Sequence, residues 1–82
     1  MPTALRFDGL RVVIYPNDHR PAHVHVIGHG KEAVLDLNCP LRPPGIRENY
    51  RFSNRELNSI FTFLITSIAE LCHAWKQIHD RP

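Results

Sequence analysis

Three histidines in the run His19-Arg-Pro-Ala-His23-Val-His25-Val are the residues of this chain best suited to chemistry. His23 and His25 lie two apart, so on a strand they project from one face, about 6.6–6.8 Å apart along the chain. Imidazoles leaning together can bind one zinc or other divalent metal at roughly 2.0–2.1 Å per nitrogen. In that reading His19 folds over as a third ligand, and Asp18, Glu32 or Asp36 completes the shell. The same rings can instead act as acid and base, because an unperturbed histidine titrates near pH ~6.5. Arg6 and Arg11 would then hold a phosphate and Tyr15 would stack on a base, the kit of a metal-independent ribonuclease or of a phosphate-binding surface. A plainer reading makes His19, Arg20 and Pro21 a turn and leaves His23 and His25 as solvent-facing strand residues.

The elements that must position these side chains are strands in the first half. Leu5 and Phe7 alternate around Arg6, and Asp8-Gly9 is a hairpin turn. Leu10 to Tyr15 is rich in β-branched and aromatic residues, and Pro16 to Pro21 is a loop by composition. His23 to Ile27 alternates again, Gly28-His29-Gly30 turns, and Lys31 to Leu37 forms a fourth strand. Every connection is short, so the spacing predicts a four-stranded antiparallel meander over 3–38. Its core face carries Leu5, Phe7, Leu10, Val12, Ile14, Val24, Val26, Ala33, Leu35 and Leu37. The opposite face carries Arg6, Arg11, Val13, Tyr15, both strand histidines, Glu32, Val34 and Asp36.

Residues 39–52 read as a Pro/Arg-rich loop, a basic arm or a lid. A helix over 53–79 follows, with Ser53 as N-cap and Glu56 at N3 forming a capping box, and Phe52 and Leu57 forming a hydrophobic staple. Leu57, Ile60, Phe61, Leu64, Ile68, Leu71, Trp75 and Ile78 recur at helical spacing. A single helix of about 25 residues is roughly 38 Å long and overhangs a short strand. The fold class is α+β, two layers, with the sheet packed on this one long helix. Trp75 caps the far end of the sheet or an interface, and His73 and His79 read as surface residues.

At 82 residues the chain holds one hydrophobic core, and its 43% apolar content excludes disorder. A net charge of +2 tolerates an acidic partner without demanding one. Cys39 and Cys72 are 33 residues apart and form no C-x-x-C pair. With no leader read ahead of them and no apolar span of membrane length, the expectation is a reduced, cytoplasmic chain. Cys72 then reads as a small buried apolar residue and Cys39 as a loop thiol.

The opening Met-Pro-x-x-Leu-Arg-x-Asp-Gly, the segment Tyr-x-Asn-Asp-His and the following x-Pro-x-His-Val-His-Val resemble the small bacterial proteins of domain-of-unknown-function family 4160. Phe-Ser-x-Arg-Glu-Leu-Asn-x-Ile and Glu-Leu-x-x-Ala-Trp further along resemble the same family. The family motif falls on Asn17, His19, Pro21, His23 and His25, with Ala22 where many relatives carry a second proline. The resemblance implies a short intracellular protein of toxin–antitoxin association with no agreed activity; the residues themselves lead to no expected cofactor other than zinc or another divalent metal in the alternative reading. Such a module engages RNA or a cognate protein from a neighbouring gene, with His19, His23 and His25 at work and Arg6, Arg11, Tyr15 and Asn17 in support. Two alternatives stand beside it: a divalent-metal module that uses the three histidines as ligands, and a non-catalytic interaction protein that pairs with a second copy.

Overall fold

Hairpin signals dominate the first half of the chain, and the fold follows them. A computed structural model describes residues 3–17, 19–39 and 43–79. Its strands are β1 (Thr3–Phe7), β2 (Leu10–Val13), β3 (His23–Gly28), β4 (Lys31–Asp36) and β5 (Gly45–Tyr50). All neighbours are antiparallel, in the order β1-β2-β3-β4-β5. Asp8 and Gly9 (φ 49° and 77°) and His29 and Gly30 (φ 54° and 73°) make the two tightest connections, each with left-handed backbone at both central residues. Gly28 has a different reason to be glycine. A Cβ there would meet the Gly9 carbonyl oxygen at 2.9 Å and Leu10 Cδ2 at 2.7 Å.

The expected four-strand meander gains a fifth strand. Residues 45–50, placed by sequence within a loop, pair with β4 from Glu32 to Asp36, with a register shift between Val34 and Leu35. Gly-Ile-Arg-Glu-Asn-Tyr shows neither alternation nor a β-branched run, and it is almost wholly exposed. Its order comes from backbone pairing to β4 and from the Asn49 side chain. That side chain donates to the Phe52 carbonyl and accepts from the Phe52 N–H, steering the chain into the next helix.

The single long helix becomes two, α1 (Asn54–Thr66) and α2 (Ile68–His79), bent by 75° at Ser67. The start is as read. Ser53 Oγ accepts from the Glu56 N–H, Glu56 Oε1 accepts from the Ser53 N–H, and Phe52 and Leu57 are both buried. The break falls in Ile65-Thr66-Ser67-Ile68, residues of modest helix propensity. The Thr66 hydroxyl there bonds back to the Phe63 carbonyl. A straight helix would carry its second half past the end of the sheet. The bend instead folds Leu71 and Trp75 into the core with Leu57, Ile60 and Leu64.

Register fixes the two sheet faces as the alternation predicts. Leu5↔Val12↔Val26↔Ala33 and Val24↔Leu35 lie under the helices. The cysteines depart from expectation: Cys39 and Cys72 are joined in a disulfide, Cα to Cα 5.9 Å, so neither is a free thiol. The α2 bend brings Cys72 back to the segment after β4. Among the described residues no single helix is long and apolar enough to cross a membrane.

Candidate functional site

On the sheet face away from α1, side chains form rows that cross the strands. One row runs Arg11, Ile27, Glu32, Tyr50, and the next runs Val13, His25, Val34, Glu48. His23 stands opposite Asp36 at the end of β3. The pairing thus puts Arg11, both strand histidines, Glu32 and Asp36 together as expected, and Arg6 joins them opposite Arg11. Val13 and Val34 are buried in this face, so it is not uniformly open to solvent.

The His25 Nδ1–H donates to Glu32 Oε2 at 3.1 Å, between diagonal neighbours on β3 and β4. A carboxylate in that position fixes which ring nitrogen carries the proton, and so the orientation of the ring. The Tyr15 ring meets His25 edge-on, centroids 4.8 Å apart, and His23 lies 5.5 Å from His25.

His23 corrects the solvent-facing expectation. It has the outward register, yet it is only 5% exposed. Its Nδ1–H donates to the Pro21 carbonyl at 2.9 Å, and its ring packs 5.2 Å from Trp75. The cause is the bend at Ser67, which swings α2 over the end of β3. The same bend corrects His79, expected at the surface. His79 is half-buried, stacked on Trp75, with Nδ1 3.1 Å from the Trp75 carbonyl and Nε2 3.2 Å from the Tyr15 carbonyl. Sequence carried a faint sign of this, since Cys72, Trp75 and His79 share one helical stripe.

His19, Asn17 and Arg6 are exposed. Among the described residues no group of three or more His, Cys, Asp or Glu side chains is placed to hold a metal. Asp18, a suggested ligand, and Arg42 of the expected loop lie outside the described residues.

The β4–β5 side of the face was missed by sequence. Arg47 donates to Asp36 Oδ1 at 2.6 Å, and the Tyr50 hydroxyl donates to Glu48 Oε1 at 2.6 Å. The hydrogen bond to Glu48, with the negative charges of Glu48 and Glu32, raises the Tyr50 phenol above its ordinary value of 10.0. Tyr50 is 55% exposed, a large side chain facing solvent beside the carboxylate that holds His25.

The histidine motif, the Phe-Ser-x-Arg-Glu-Leu capping segment and Trp75 all lie within one family match. No curated protein and no solved structure matches the chain. The family model described as Domain of unknown function (DUF4160) matches residues 9–76, and the chain belongs to that family.

Proposed function

We propose that the chain is a toxin–antitoxin-type module that engages a cognate partner protein through the histidine-bearing sheet face, with His25, Glu32 and Tyr50 at the centre of contact. The charge balance of the face carries this reading. Arg6, Arg11 and Arg47 share the face with Glu32, Asp36 and Glu48, and Arg47 is ion-paired with Asp36. RNA binding draws on a field of unmatched cations to displace counterions from phosphates. A protein interface works with mixed charges around an exposed aromatic anchor, and Tyr50 supplies one. His19, Asn17 and Tyr15 flank this centre along the loop that leads into β3.

Calorimetric titration of the chain with the protein of the adjacent gene tests the proposal. Binding should weaken at least tenfold in Tyr50→Ala, with little dependence on salt. RNA binding that falls steeply with salt and ignores Tyr50→Ala would overturn it.

A second reading, acid–base cleavage of RNA, is favoured by the His25–Glu32 hydrogen bond, which orients an imidazole as a carboxylate does in proton-transfer sites. It requires RNA cleavage that disappears in His25→Ala. A wild-type chain that leaves RNA intact dismisses it.

A further inference from the structure

The stripe Cys72, Trp75, His79 attaches α2 to the sheet at three points. Cys72 is bonded to Cys39, three residues after the last residue of β4. Trp75 packs on His23 at 5.2 Å. His79 reaches the Tyr15 carbonyl beyond β2. This one face of α2 therefore forms the cover over His23, and the first of its three attachments is covalent.

The cover is not fully satisfied where it sits. Trp75 is 3% exposed, and its indole Nε1 is buried with no hydrogen-bond partner among the described residues. A buried N–H without an acceptor favours release of the helix into water, where the group is hydrated. The disulfide acts in the opposite sense by restricting the chain between residues 39 and 72. Cys39 is exposed, so an incoming thiolate can reach the bond.

We propose that Cys39–Cys72 is a redox latch that controls access to His23. A dithiol reductant attacks the disulfide and is itself oxidised to a disulfide. Two electrons and two protons pass to the chain, the S–S bond breaks, and Cys39 and Cys72 become thiols. With the latch open, α2 detaches from the end of β3 and exposes His23 and the Trp75 indole. An oxidant of the disulfide class, such as oxidised glutathione, closes it again.

Trp75 is the single tryptophan of the chain, so its fluorescence reports the cover directly. The full chain is compared oxidised, reduced with dithiothreitol, reoxidised, and as the Cys39→Ser/Cys72→Ser double variant, with amide exchange followed by mass spectrometry. Reduction and the double substitution should each shift Trp75 emission to the red. Exchange across residues 68–79 should rise at least tenfold while β2, β3 and β4 stay protected, and reoxidation should reverse both changes. Three results would overturn the proposal. These are unchanged emission and exchange on reduction, loss of protection in the sheet together with α2, and free thiols at both positions in protein purified without reductant.

Discussion

The imidazole of His79 lies flat on the indole of Trp75, centroids 3.7 Å apart and ring planes 16° apart, with a backbone carbonyl oxygen beside each of its nitrogens. These contacts hold the ring between the last turn of α2 and the segment after β2. His79→Ala removes the stack and the tie to Tyr15, and should cost about 1–2 kcal/mol in a denaturant titration. His79→Phe keeps the stack alone and should recover part of that loss. An unchanged midpoint in His79→Ala would show that α2 does not depend on this contact.

Glu56 closes the capping box and also accepts from Lys31 at 2.7 Å. The Lys31 hydrogen bond, followed by the Ser53 backbone N–H, lowers its carboxyl from 4.5 to about 2. Because the folded value lies below the unfolded one, the stabilisation is present above about pH 4.5 and is lost as pH falls toward about 2. Melting temperatures between about pH 6 and pH 2 should fall less steeply for Glu56→Gln than for the native chain, from a lower starting point at neutral pH. Parallel curves for the two proteins would refute the assignment.

Tyr50 is held high chiefly by its hydrogen bond to Glu48. Glu48→Ala should bring one phenol back toward its ordinary value, read as earlier phenolate absorbance in an alkaline titration. The neutral phenol keeps its O–H at physiological pH, and Glu48 accepts it. An identical titration curve in the variant would count against that bond.

At Gly28 the obstacle to any side chain is the Gly9 backbone as well as a flexible leucine. Gly28→Ala should therefore force the β1–β2 turn outward and destabilise the chain by about 1–3 kcal/mol, measured by thermal melting. Gly30→Ala is a useful contrast. Nothing crowds that position, and only its positive φ of 73° opposes the change.

Local chemistry was legible wherever a few neighbouring residues decide the outcome. Ser53 and Glu56 place the start of α1 to the residue, and Asp8-Gly9 places the first hairpin. Alternation from Leu5 to Leu37 sorted the sheet faces and put His25 and Glu32 on the same one, though it did not show them in contact. What stayed hidden depends on direction in space. An apolar stripe from Leu57 to Ile78 looks the same on a straight helix and on one bent at Ser67. The burial of His23, the contacts of His79 and the Cys39–Cys72 bond all follow from that bend. Strand β5 was hidden for another reason: its order comes from the backbone of β4, and its side chains carry no period.

Both departures from regular register fall in the outermost strand pairs, between Thr3 and Leu5 on one side and between Val34 and Leu35 on the other. An antiparallel sheet ends in unsatisfied N–H and C=O groups, a template on which further chains can grow into fibrils. A kinked border offers a poor template, and on β5 Arg47 and Glu48 add charge beside the kink. The consequence is colloidal: at high concentration the folded chain should resist edge-to-edge polymerisation even though a whole strand faces water.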